Sequence, residues 1–255
     1  MFLKKDIIIQ NLRIVYYQNE DFDKNNALVF LHGWGNTPQV FDNLLNKYHN
    51  SMAVGLPGFG GSEPPRQAWF ISDYANFLKQ FLEKLRINAP ILIGHSFGGS
   101  VIIKHCAYNK NAKRIILINS AGIRRKGIRI FLYLILTKIF KIVFLIPGIA
   151  LFKNKIRKKF YSYIEATDYL NIGISSLKET FQNITKEDLS EDMKKIETKT
   201  TLIWGEKDQT TPLKDGLLMQ NLIPHAEMFI AREGKHFMFD NEEFNKLLSQ
   251  QIYDN

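Results

Sequence analysis

The 255-residue chain has a single cysteine, Cys106, which excludes an internal disulfide framework and a thiolate zinc cluster. None of its glycine-rich stretches ends in Gly-Lys-Ser/Thr, and the glycine spacing is not that of a dinucleotide fingerprint, so a nucleotide-binding loop is not the expectation. Internal repeats and low-complexity tracts are absent. Met1-Phe2-Leu3-Lys4-Lys5-Asp6 is not followed by a long apolar stretch, so it does not read as a signal peptide, and a cytoplasmic location is expected. Acidic residues are missing from one long segment: Arg124 to Lys159 holds eleven Lys or Arg and no Asp or Glu. That segment carries +11 of a net charge of +9, leaving about −2 for the rest, so any argument from charge concerns this segment alone.

The same segment is apolar over Ile128 to Phe152, but Lys138 and Lys141 interrupt it and Pro147-Gly148 breaks a helix there. A membrane span needs about 20 apolar residues without such breaks, so spanning is not the expectation. The stretch reads instead as part of a helical lid with its apolar side toward a pocket and its lysines outward. Such a surface can also touch an anionic membrane or receive a substrate carried by an acidic protein. Nucleic acid is not expected, because the basic residues are interleaved with an aliphatic run and belong to no binding module.

What the sequence does have is a set of short β-branched runs, each ending in a turn. Ala27 to Leu31, Met52 to Val54, Ile91 to Ile93, Arg114 to Ile118, Thr201 to Trp204 and Glu227 to Ile230 read as strands, with two further short edge strands around Gln10-Asn11. Helices are expected from Thr37-Pro38 to Lys47, from Ser72 to Leu85, from Ser96 to Asn109, from Pro212 to Leu222 and from Phe239 to Tyr253. Alternation of this kind gives an α/β protein with a mostly parallel sheet covered on both faces. It stops at Gly122 and resumes near Thr200, which divides the chain into a core of 1–121 and 196–255 and a helical lid insertion of 122–195.

The chemistry centres on Gly94-His95-Ser96-Phe97-Gly98-Gly99, where a buried strand breaks at glycine, exposes one serine and continues as a helix. A serine hydroxyl is a weak nucleophile at neutral pH and needs a histidine to take its proton and a carboxylate to orient that histidine. His236, just after the last strand, fits the first role. Asp208, beyond the end of the strand before it, fits the second ahead of its neighbour Glu206. His32 and His95 sit beside glycine turns and read as loop supports. The negative oxygen of a tetrahedral intermediate calls for two N–H donors. The Phe97 amide at the start of the helix and the Trp34 amide in His32-Gly33-Trp34-Gly35 are placed for this. Trp34, Tyr161, Tyr163, Tyr169 and Phe181 are candidates to line a pocket.

With these motifs the sequence resembles the α/β-hydrolase superfamily, in its lid-bearing branch of esterases, lipases and carbon–carbon bond hydrolases. The Leu56-Pro57-Gly58-Phe59-Gly60-Gly61-Ser62 turn and the Gly234-Lys235-His236-Phe237 loop add to the likeness. Members often have an aspartate before the Leu-Pro-Gly turn, where this chain has Val54-Gly55. Relatives with an aspartate nucleophile are disfavoured by Ser96, and His95 is closer to the esterases. The expectation is a serine hydrolase of carboxylic esters with an apolar acyl part, working through an acyl-enzyme without cofactor or metal. The alternatives are a carbon–carbon bond hydrolase of ring-cleavage products and a hydrolase-like protein that binds a ligand without turnover.

Overall fold

The computed structural model describes residues 2–124 and 175–253. Residues Met1–Ile123 and Ile174–Asn255 form one compact unit, which holds the sheet, and Arg124–Gly173 a second. The strands of the first unit, among the described residues, are β1 (Phe2–Ile9), β2 (Leu12–Asn19), β3 (Leu28–Leu31), β4 (Ser51–Val54), β5 (Ile91–His95), β6 (Arg114–Ile118), β7 (Thr200–Gly205) and β8 (Glu227–Ala231). Its α-helices, among the described residues, are α1 (Asp42–Lys47), α2 (Ile71–Leu85), α3 (Phe97–Cys106), α4 (Ser175–Ile184), α5 (Ser190–Met193), α6 (Leu213–Leu222) and α7 (Glu242–Tyr253). None of these helices is long and apolar enough to cross a membrane.

The strands form one sheet in the order β1-β2-β4-β3-β5-β6-β7-β8. β1 and β2 run antiparallel to their neighbours and the other pairings are parallel. This is the α/β-hydrolase fold, and the central strands are β-branched or aliphatic and buried throughout because helices cover both faces. Alternation along the strands sends Phe30, Ile93, Ile116, Ile118 and Ile203 to one face, where they pack with Phe41, Leu44 and Leu45 around α1 and with Phe244 and Leu248 of α7. On the other face lie α3 and α2. α2 buries Ile71, Tyr74, Phe77, Leu78, Phe81 and Leu82, one stripe at three- and four-residue spacing, and the Asp73 carboxylate accepts the Phe70 N–H at its start.

Several boundaries differ from the sequence expectation. The edge strands are eight residues each, because Gln10 and Asn11 both take positive φ (50° and 61°) and close a two-residue hairpin in register. The helix expected from Thr37 is split into a 3-10 turn, Pro38–Phe41, and α1, and the Thr37 side chain makes no capping bond. The last helix begins at Glu242 rather than Phe239, because Met238 and Phe239 are drawn into the core before the helix starts.

Helix α4 and the turn after it are fastened to the segment between β4 and α2 and to the first residue of α2. Ser176 Oγ donates to Pro65 O (2.7 Å), the Trp69 N–H donates to Thr180 Oγ1 (2.8 Å), and the Ile71 N–H donates to Glu187 Oε1 (2.9 Å). β3 and β5 are sheet neighbours from which the chain winds in opposite directions, to β4 on one side and to β6 on the other. The carboxyl ends of the two strands at such a reversal border an open crevice, the usual place for a ligand in an open α/β sheet.

Candidate active site

Ser96 sits at that reversal, immediately after β5, partly exposed and with φ 51° and ψ −116°. A non-glycine residue is rarely held there, and the strain lifts the side chain off the strand end. The sharp turn brings α3 down on its neighbours. A Cβ on Gly98 would lie 2.2 Å from the Leu31 carbonyl oxygen, so only glycine lets the helix start this close to β3. The turn after β3 passes equally near, since a Cβ on Gly33 would lie 3.2 Å from Ser96 Cβ and 3.2 Å from His95 Nδ1. Among the described residues neither the Trp34 amide nor the Phe97 amide has an acceptor. Two free N–H groups, one at a helix N-terminus, therefore belong to the residues flanking this contact.

His32 holds that turn in place. Its Nδ1–H donates to Gly33 O (2.8 Å) and its Nε2 accepts the Leu56 N–H (3.1 Å), so one imidazole latches the Gly33 turn to the Leu56-Pro57-Gly58 turn. Both bonds require the neutral tautomer, and burial pushes the His32 pKa down to about 4 against the opposing pull of the Gly33 carbonyl.

Asp208 and His236 come together from the ends of β7 and β8. His236 Nδ1 donates to Asp208 Oδ2 at 2.8 Å, with the carboxylate side chain fully buried and the imidazole 12% exposed. Thr211 Oγ1 lies 2.8 Å from the same oxygen, and Oδ1 accepts the N–H groups of Thr210 (2.8 Å) and Thr211 (3.0 Å). Burial by itself would raise the Asp208 pKa, but the hydrogen bonds from His236 and Thr211 outweigh it and hold the carboxyl below its ordinary value. Glu206 is exposed, and its carboxylate accepts the Glu233 N–H instead. The Ser96 hydroxyl has no hydrogen bond among the described residues. Contacts of this kind often close only when substrate arrives.

An aromatic cluster adjoins Ser96. The Trp34 ring lies 4.7 Å from Phe59, 5.3 Å from Phe97 and 5.5 Å from Phe181, and Tyr74 packs edge-on to Phe97 at 5.0 Å. Phe181 thus meets Trp34, whereas Tyr161, Tyr163, Tyr169 and the basic apolar stretch from Arg125 to Lys159 lie outside the described residues.

Two residues of the site were not singled out by sequence reasoning. Asn119, at the end of β6, is fully buried with φ 42°, and Thr211 precedes α6. A polar residue closing an otherwise aliphatic strand, Arg114-Ile115-Ile116-Leu117-Ile118-Asn119, is the signal that points to the first. Thr211 carries no such signal, since threonine before proline is ordinary turn chemistry.

The chain is similar to several known proteins. The "AB hydrolase superfamily protein YisY" of Bacillus subtilis is 24% identical over 91% of this chain and 93% of its own. "Lipase 3" of a Moraxella species is 23% identical over 91% of this chain and 80% of its own. Among solved structures, an esterase from Exiguobacterium antarcticum superposes with a TM-score of 0.73 at 20% identity, covering 98% of this chain and 99% of that one. The sequence pattern described as "Alpha/beta hydrolase family" matches residues 28–246, from β3 into α7, and the chain belongs to that family.

Proposed function

We propose that this hydrolase is a serine carboxylic-ester hydrolase for substrates with an apolar acyl part. The observation that carries the reading is the His236–Asp208 hydrogen bond of 2.8 Å, formed on the same end of the sheet as the strained Ser96 turn. Ser96 Oγ attacks the ester carbonyl as His236 Nε2 takes its proton, and Asp208 holds the imidazole in the tautomer that leaves Nε2 free. The oxygen of the tetrahedral intermediate is met by the Trp34 and Phe97 amides, which have no other acceptor among the described residues. His236 then protonates the leaving alcohol, and water activated by the same imidazole releases the acid from Ser96.

The rings of Trp34, Phe59, Phe97 and Phe181 supply apolar surface for the acyl part. Relatives named lipase in Moraxella and Psychrobacter immobilis, and two solved structures named as esterases, support this choice within the family. The test is a series of p-nitrophenyl esters of rising acyl length, with fluorophosphonate labelling of wild type and Ser96→Ala. Turnover of the esters, and a mass increase lost on Ser96→Ala, are expected. Cleavage of a vinylogous diketone without ester turnover would give the carbon–carbon bond reading instead. Folded protein that neither turns over nor labels would mean ligand binding without catalysis.

A further inference from the structure

We propose that Asn119 and His95 are positioning residues, which together clamp the backbone carbonyl of His236 and so set where its imidazole hangs relative to Ser96. The inference rests on the ester-hydrolase reading of the site and adds the groups that hold its base in place. His236 lies on the loop between β8 and α7, outside any strand or helix. Its carbonyl oxygen nevertheless accepts two hydrogen bonds from buried side chains on different strand ends, one from Asn119 Nδ2 (2.9 Å) and one from His95 Nε2 (2.9 Å). Both donors are fully buried.

Asn119 reaches further than the one carbonyl. Its Nδ2 also donates to Lys235 O (2.9 Å), its Oδ1 accepts the Gly205 N–H (2.8 Å), and its own carbonyl lies 3.0 Å from Thr211 Oγ1. One amide therefore ties the end of β7, from which Asp208 hangs, to the loop that carries His236. The Thr211 hydroxyl has one proton for two acceptors, Asn119 O and Asp208 Oδ2, so it bonds one of them at a time.

The chemistry of His95 suits the task. A carbonyl accepts only, so Nε2 must carry the proton and Nδ1 is left as a bare acceptor, buried and without a partner among the described residues. Burial, aided by the nearby His236, pushes the His95 pKa down to about 3, so the ring stays neutral across the neutral range. The two imidazoles lie 4.7 Å apart, ring to ring, which places His95 against His236 by packing as well as by hydrogen bonding. Its chain neighbour is Ser96 itself. Residues 95 and 96 thus fix the base and supply the nucleophile from one turn.

The experiment uses the full chain with the p-nitrophenyl ester that the wild type cleaves fastest. Asn119→Asp keeps the size and the acceptor toward Gly205 but replaces the donor with an oxygen facing two carbonyls. His95→Phe keeps a ring and removes the donor, and His95→Gln returns a donor near the Nε2 position. Thermal melting shows that each variant is folded. Misplacement of a catalytic group by about 1 Å can cost about 100-fold, so kcat is expected to fall about 10- to 100-fold in Asn119→Asp and His95→Phe. KM should stay within about 3-fold, and His95→Gln should recover most of the loss, a split that general loosening of the fold would not produce.

Folded Asn119→Asp and His95→Phe proteins with wild-type kcat would overturn the proposal. If Asn119→Asp does not fold, the His95→Phe and His95→Gln pair decides alone. Failure of the ester reading appears in the wild type, as no turnover and no labelling. The downfield proton resonance of His236 Nδ1–H, read without substrate, then decides the clamp: displaced or broadened in His95→Phe if it holds, unchanged if it does not.

Discussion

Two imidazoles, His32 and His95, are wholly buried and kept neutral, and acidification should unfold the protein through them. Burial lowers the first to about 4 and the second to about 3, whereas in the unfolded chain both return to about 6.5. Between these values the unfolded chain binds a proton that the native site refuses, so stability rises with pH and is lost as pH falls below about 6.5. At 1.36 kcal/mol per pH unit, going from pH 7 to pH 5 removes about 2 kcal/mol per histidine, or about 4 kcal/mol for the pair. Native proteins of this kind are stable by about 5–15 kcal/mol, so the loss is a large share of the whole.

Urea titrations at pH 7, 6 and 5 measure it in the wild type and in His32→Gln and His95→Gln. Each substitution lowers stability at pH 7, but the quantity that decides is the pH slope, which should flatten by about 2 kcal/mol over the two units for each histidine removed. His105 is also lowered by burial and the partly buried Glu187 is raised by it, but both remain in every variant and cancel in the difference. A slope in His95→Gln equal to that of the wild type would mean that His95 takes up its proton in the folded state, and the burial argument would fail.

Two other outcomes follow from the geometry. Asp208→Asn, which puts an amide where His236 Nδ1–H needs an acceptor, should lower kcat by about 10³- to 10⁴-fold, while Glu206→Gln stays within about 3-fold. A reversed order would move the acid to Glu206. Gly98→Ala places a methyl 2.2 Å from a backbone oxygen that cannot swing aside, so the loss should exceed the roughly 1–3 kcal/mol of ordinary overpacking. A urea midpoint unchanged by Gly98→Ala would show that α3 can back away from β3 freely.

Much of this protein is local and therefore readable. Ile91-Leu92-Ile93 and Arg114-Ile115-Ile116-Leu117-Ile118 are strands because a β-branched or aliphatic run of that length buries both faces, and each was identified within a residue or two. α2 follows from its apolar period. Ser96 could be nominated because it directly follows β5, and Asp208 and His236 because they lie in the loops that follow β7 and β8. The hairpin at Gln10-Asn11 was harder, because Lys4, Lys5 and Asp6 are exposed along β1, and the pairing with β2, not burial, makes them a strand.

The sequence by itself determined the periodicities and the turn chemistry, from which Ser96, Asp208 and His236 are candidates, since these depend on neighbours a few residues apart. Only the tertiary structure decided which partner each buried polar group would find. Asn119 meets Lys235 and His236 across 116 and 117 residues, and His95 meets His236 across 141. A buried donor must find an acceptor somewhere, but which carbonyl is within reach depends on how the strand ends splay over the sheet. That is a property of the whole packed assembly, and no local stretch of the chain contains it.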